Sequence, residues 1–200
     1  MLALPALFPS QARGQVFSAD AVKAAFLHRF ASYIEWPPGA VGNGPFVIAV
    51  VGAEGVARNL DELLPSMTVQ GRRAVVRRVT RVAELDGVHI VYFGPEMLSR
   101  ARDLREAAMQ RPVLLVTDGD AAFRAGGVVN FVESDNKVRF EVSLAAANRA
   151  RLRIDSALLS VAARVVEGEP QAWTPWVDSL TSRYCKRGCP LTVVAMGRGR

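Results

Sequence analysis

Few side chains in this sequence are of a type that does chemistry, and their spacing decides how they read. Thr117-Asp118-Gly119-Asp120 follows an apolar run at Val113 to Val116, the carboxyl end of a predicted strand, where α/β proteins place ligands. Paired acids there suit proton transfer or a divalent cation. No third acid stands close in sequence and helix-forming residues follow, so helix capping is the simpler role. Gly52-Ala53-Glu54-Gly55 lies between a predicted strand and helix, where phosphate-binding loops occur, but it lacks the third glycine of the dinucleotide spacing and reads as a turn. His28 and His89 are the two histidines. The first lies near the apolar side of a predicted helix and the second inside an apolar strand, so both read as packed. No nucleophile-elbow, metal-binding helix or phosphate-loop motif is present. The sequence therefore predicts no catalytic residues, no cofactor and no metal, and a protein that is not an enzyme.

Cys185 and Cys189 are the two cysteines, too few for a disulfide scaffold or a four-cysteine zinc site. On a helix their Cβ atoms would lie about 5–6 Å apart, beyond the roughly 3.5–4.5 Å of a disulfide. A bridge needs a turn, which Lys186-Arg187-Gly188 can supply. A Cys185–Cys189 disulfide and two free thiols both remain open.

The elements that must position these groups follow from hydrophobic period. Ser18 and Asp20 open a helix predicted over Asp20 to Ile34, with Val22, Phe26, Phe30, Tyr33 and Ile34 at helical spacing. Pro37 and Pro38 stop it. Phe46 to Val51 and Val88 to Phe93 are apolar on both faces, the pattern of interior strands covered by helices on two sides. Ala74 to Val79 and Val113 to Val116 are further strands. Helices are predicted through Val56 to Leu64 and, opening at Gly94-Pro95, through Met97 to Met109. Gly126 to Leu144 reads as a hairpin, because Val138, Phe140 and Val142 alternate with Arg139 and Glu141. A last helix is predicted from Asp155 to Val166. The order predicts an α/β fold: a mixed, mostly parallel sheet with helices on both faces in three layers, a C-terminal hairpin edge and a final helix.

The 200 residues are 50% hydrophobic, enough for one domain with a full core. Net charge is +6 and pI about 10.0. Arg183, Lys186, Arg187, Arg198 and Arg200 stand after Leu180 with no acid among them; taking those five from +6 leaves +1 for the rest. A nearly neutral body with a basic tail argues against nucleic-acid binding. Leu2 to Phe8 is apolar and Ser10-Gln11-Ala12 fits a small-x-small cleavage site, as at the end of a secretory signal, so an exported, soluble protein is expected. The predicted organisation is a leader at 1–18, an α/β domain at 19–166, and a Trp-, Pro- and Cys-containing basic extension at 167–200. Trp173 and Trp176 stand out in that extension as large apolar groups in polar surroundings.

The ordered landmarks Val22-Lys23-Ala24-Ala25-Phe26-Leu27, Tyr33-Ile34-Glu35-Trp36-Pro37, Phe46 to Gly52, Gly71-Arg72, His89 to Phe93, Val113 to Asp118, Gly126-Gly127, Val138 to Val142 and Leu158-Leu159 resemble those of the YfiR/HmsC family. The resemblance covers about Asp20 to Val166. It implies a periplasmic, non-catalytic α/β protein, often dimeric, that binds the periplasmic sensor region of an inner-membrane diguanylate cyclase and represses cyclic di-GMP synthesis. An outer-membrane lipoprotein that releases the repression is a further implied partner. Relatives often carry cysteines before the strand that holds His89 and around the Gly-Gly turn. This chain has Val88 and no cysteine before Cys185, so control through those bridges is not implied. Contact residues expected for the partner or a ligand are Tyr33 and Trp36 at the end of the first helix, and Arg153 with Asp155. The alternative is a small-molecule-sensing module that feeds a membrane kinase or transporter.

Overall fold

The computed structural model describes residues 17–97, 100–135 and 137–168. The basic extension, with Trp173, Trp176, Cys185 and Cys189, and most of the leader lie outside the described residues.

Ser18 caps the first helix α1 (Ala19–Phe30), accepting the Ala21 N–H at 3.2 Å, and Asp20 sits in its first turn, where a negative charge favours the helix dipole. The helix ends four residues earlier than its apolar spacing suggests. Tyr33 lies in the following turn, and Ile34 and Glu35 form the strand β1 (Ile34–Glu35). The reason is tertiary. Ile34 and Glu35 pair antiparallel with β9 (Arg153–Ile154), a partner the local pattern does not reveal. The two prolines beyond Trp36 also bar further helix.

The chain continues through β2 (Phe46–Val51), α2 (Glu54–Leu63), β3 (Thr68–Val69), β4 (Arg72–Arg78), β5 (Ile90–Phe93), α3 (Arg102–Met109), β6 (Leu114–Thr117), α4 (Asp120–Arg124), β7 (Val129–Ser134), β8 (Lys137–Ser143) and α5 (Leu144–Arg149). After β9 come α6 (Ser156–Ser160) and β10 (Arg164–Val166). Among the described residues eight strands form one sheet in the order β10-β8-β7-β6-β5-β2-β4-β3. Pairings are parallel except for the β7–β8 hairpin and the short β3–β4 contact. The expected mixed, mostly parallel α/β architecture holds. All six residues of β2, and all four of β5 and of β6, are buried, as doubly covered interior strands require.

The chain leaves β2 through α2 toward β4, then returns and runs from β5 through α3 to β6 in the opposite direction across the sheet. Right-handed crossovers in opposite directions put α2 and α3 on opposite faces. The first helix packs beside α2 and lays Phe26 and Phe30 on Phe131 and Phe140, ring centroids 5.1–6.1 Å apart.

Three further details depart from the sequence pattern. The helix expected to start at Gly94-Pro95 is a 3₁₀ turn at Pro95–Met97, with the α-helix beginning only at Arg102. The short helix α5 directly follows the hairpin strand, and Ser143 caps it through the Ala146 N–H. The helix expected over Asp155 to Val166 stops at Ser160, and its last residues become β10, parallel to β8. Val165 and Val166 are β-branched and favour a strand. Ala163 N–H donates to Phe140 O at 2.8 Å, and Arg164 grips Glu141 with both Nε and Nη2, at 2.8 and 3.0 Å. The hairpin is thus one strand in from the sheet edge.

Candidate functional site

The ends of β5, β6 and β7 bring together a cluster of ionisable side chains. Lys23 of α1 is buried, and its Nζ donates to Asp118 Oδ2 at 2.7 Å and to Glu133 Oε1 at 3.2 Å. Tyr92 of β5 donates its hydroxyl to the same Asp118 oxygen at 2.8 Å. Asp118 therefore does not cap the helix after it; the N-cap is Gly119, which has no side chain to do so. Asp120 lies in the first turn of α4, 3.9 Å from Arg124. The third acid absent from the local sequence is Glu133, contributed by the hairpin.

Burial alone would push the Lys23 ammonium down, but the hydrogen bond and charge of Asp118, with those of Glu133, outweigh it and hold the group above the usual lysine range. Burial first, then the Asp118 charge, push the Tyr92 phenol up. A lysine held charged has no free lone pair for nucleophilic or base work, and a phenol held protonated is no base. The cluster works as a clamp from α1 to the sheet. Among the described residues no group of three His, Cys, Asp or Glu is placed to hold a metal ion.

A second polar chain runs beside it. Asn130 Oδ1 accepts from Gly119 N at 2.9 Å and from the Thr117 hydroxyl at 3.1 Å, and Glu141, 3.5 Å from Asn130 Nδ2, continues to Arg164. These groups tie the edge strand to the loop that carries Asp118.

The turn after β2 holds Gly52 at φ +66°, a value that L side chains rarely adopt. A methyl on Gly52 would collide with Met97, and one on Gly55 with the Asp20 carboxylate. Met97 and the Asp20 carboxylate thus pack directly on the backbone of this turn.

His89 precedes β5 and stacks on Phe46 at 4.6 Å. Its Nδ1 accepts the Val47 N–H at 2.9 Å, so the ring proton sits on Nε2, which faces Val41 O at 3.3 Å. Burial, reinforced by the charges of Arg72 and Arg77, outweighs the two backbone hydrogen bonds and lowers its pKa. The unfolded chain therefore binds a proton here more readily than the folded one. Stability is expected to fall as pH drops below about 6.5, the unfolded histidine value. Thermal melts at pH 7.5 and pH 5 check this, with His89→Asn, which keeps an acceptor but cannot titrate, giving a flatter profile. His28 is half-buried on α1, and its Nε2 has no hydrogen-bond partner among the described residues.

The expected contact residues fall in one place. Asp155 N–H donates to Tyr33 O at 2.9 Å, Glu35 pairs with Arg153 across β1 and β9, and Trp36 follows directly. Arg153 and Glu35 are exposed, with Nε 3.7 Å from Oε2. Trp36 packs edge-on against Phe46, and its indole N–H is buried without a partner among the described residues. The Asp155 carboxylate is committed to capping α6 through the Ala157 N–H at 2.7 Å. Of the four, Arg153 is exposed, Tyr33 and Trp36 are half-buried, and Asp155 is engaged with its own helix.

Fold and side chains together define a layered α/β domain in which Lys23, Tyr92, Asp118 and Glu133 engage one another. A family model described as YfiR/HmsC-like matches residues 20–163, and the chain belongs to that family. No curated protein matches the chain. Among solved structures it is similar to a conserved domain protein from Vibrio cholerae O1 biovar El Tor, at 14% identity and TM-score 0.47, over 74% of this chain and 60% of that one. It is also similar to an ABC domain in complex with L-Trp from Streptococcus pneumonia, at 9% identity and TM-score 0.47, over 72% of this chain and 60% of that one. The chain thus spans about 60% of the length of both.

Proposed function

We propose that this protein is an exported, non-catalytic regulator that binds the periplasmic sensor region of an inner-membrane diguanylate cyclase and holds cyclic di-GMP synthesis down. The observation that carries the reading is the YfiR/HmsC-like match over residues 20–163. The clamped, non-nucleophilic state of Lys23 and Tyr92 supports a regulator that acts by contact. Among the described residues no helix is long and apolar enough to cross a membrane, which accords with a periplasmic location. The organisation that goes with this function is a leader at 1–18, the regulatory domain at 19–166 and an extension at 167–200. The β1–β9 ribbon is the contact surface, with Tyr33, Trp36 and Arg153 facing the cyclase. A protein that prefers the cyclase's inactive state shifts its equilibrium only by that differential affinity. An outer-membrane lipoprotein that competes for the regulator would relieve the repression.

Deleting the gene is expected to raise cellular cyclic di-GMP. An unchanged level, even with the cognate cyclase overproduced, would refute the reading. Complementation with Trp36→Ala or Arg153→Glu locates the surface. An aromatic anchor at an interface contributes about 2 kcal/mol or more, so Trp36→Ala is expected to leave cyclic di-GMP high while the purified variant still melts cooperatively. Full repression by both variants would move the contact elsewhere.

A further inference from the structure

Three steps in the sequence place glycine directly after Asn or Asp: Asn43-Gly44, Asp86-Gly87 and Asp118-Gly119. Such steps are chemically labile. Glycine has no side chain to shield its backbone nitrogen and turns freely, so that nitrogen reaches back to the Cγ of the residue before it. The fold disarms two of the three. Asp118 accepts from Lys23 and Tyr92, and the Gly119 N–H is committed to Asn130 Oδ1 at 2.9 Å. Asp86 is held through its backbone oxygen by Arg77 at 2.8 Å and through its carboxylate by Arg111 at 3.3 Å. An ionised carboxylate is in any case a far poorer electrophile than a neutral amide.

Asn43-Gly44 is free. It lies in the segment between β1 and β2, which is fastened just before it. Arg72 Nη1 donates to Val41 O at 2.9 Å and also to Gly42 O, and His89 Nε2 faces Val41 O at 3.3 Å. The fastening stops at Gly42. Asn43 and Gly44 are both exposed, and neither makes a hydrogen bond to another described residue. A Cβ built on Gly44 would meet nothing within 4 Å, so solvent reaches its N–H and the Asn43 side chain has room to turn onto it.

We propose that Asn43 is a site of spontaneous deamidation, left open by the fold where the other two such steps are closed. The Gly44 nitrogen, its proton lost to solvent base, attacks Asn43 Cγ. The N–Cγ bond forms, the Cγ–Nδ2 bond breaks, and Nδ2 leaves as ammonia. Water then opens the resulting succinimide. Opening at Cγ gives aspartate, and opening at the backbone carbonyl gives isoaspartate, whose main chain runs through Cγ. Either product puts a negative charge into the segment that joins the β1–β9 ribbon to the sheet, one residue beyond the oxygen held by Arg72. The reaction needs no enzyme and is independent of the regulatory reading.

Storage of the purified full chain in warm, mildly alkaline buffer, followed by peptide mass mapping, tests the proposal. The peptide holding Asn43 is expected to gain about 1 Da and to divide into an aspartyl and an isoaspartyl form, only the first of them cut by an aspartate-specific protease. The Asp86 and Asp118 peptides are expected to stay aspartyl in the folded chain and to acquire isoaspartate only in urea. Gly44→Ala has space for its methyl and no positive φ to strain it. It is expected to keep the circular dichroism spectrum and to slow the change about tenfold or more, because the methyl shields the nitrogen. An intact Asn43 in the folded wild type, over a time in which a free peptide of the same sequence deamidates, would overturn the proposal. So would an undiminished rate in Gly44→Ala, or isoaspartate arriving at Asp86 or Asp118 of the folded chain as fast as at Asn43.

Discussion

Lys23→Met is expected to lower the unfolding free energy by about 3 kcal/mol, the lower end of the range for removing one member of a buried ion pair. The substitution keeps an unbranched side chain of similar length, so the packing of α1 against the sheet survives. It leaves Asp118, whose side chain is 14% exposed, without its cation. The Tyr92 hydroxyl remains as one donor, which keeps the cost from the upper end of the range. Glu133 is 62% exposed and passes back to solvent at little cost. Urea denaturation at neutral pH measures the difference, and a loss under 1 kcal/mol would show the clamp to be ornamental. The pH dependence gives a second reading. Lys23 and Tyr92 both have folded pKa values above their unfolded ones. The stability they contribute is therefore complete below the unfolded values and falls as pH rises past about 10. The wild type is expected to lose stability in that alkaline window, and Lys23→Met to lose less of it because one of the two groups is gone.

What the sequence made legible and what it hid divide along the same line, local against distant. The interior strands Phe46–Val51 and Ile90–Phe93 and the hairpin around Asp135 are visible because hydrophobic period and turn residues are local properties. Asp135 itself adopts φ +53°, a conformation that Asp tolerates in tight turns. The end of α1 is not visible, since Ile34 leaves the helix for a partner strand 120 positions away, Ile154. Helical spacing at Tyr33 and Ile34 is real but loses to cross-strand pairing. Val165 and Val166 likewise become strand because the free edge of β8 lies beside them.

The site divides in the same way. Asp118 looked like a cap because its neighbours in sequence begin a helix, while its actual partners, Lys23 and Tyr92, are 95 and 26 positions away. A lone lysine on the apolar side of a predicted helix, between Val22 and Ala24, was the available signal. A buried cation requires a buried anion, and the acid after an interior strand is the natural candidate. Tyr33 and Trp36 on one hand and Arg153 and Asp155 on the other read as two separate places. Strand pairing between β1 and β9 makes them one, and only the fold could join them.

Phe30→Ala is expected to cost about 3–5 kcal/mol, the range for truncating a buried aromatic side chain. Phe30 is fully buried and touches three rings: Phe26 at 5.8 Å, Phe131 at 5.9 Å and Phe140 at 5.1 Å. Phe131 and Phe140 face each other across the hairpin, so the cavity opens where α1 meets both hairpin strands and neither side can collapse without shifting a paired strand. Phe26→Ala makes the internal comparison. Its ring contacts the same two partners, but Phe26 is only half-buried, and water can enter the space it leaves, so it is expected to cost clearly less. Equal losses at the two positions would show that ring burial does not set the cost. Lys23 and Phe30 lie on one side of α1, two turns apart, and share no side-chain partner: Lys23 engages Asp118 and Glu133, Phe30 the rings of Phe26, Phe131 and Phe140. Combining Lys23→Met with Phe30→Ala therefore adds two largely independent losses, about 6 kcal/mol or more. That reaches the whole stability of an ordinary domain, about 5–15 kcal/mol. The double variant is expected to be unfolded at room temperature by circular dichroism. A cooperative melt in that variant would mean that α1 is held to the sheet chiefly by contacts other than these two.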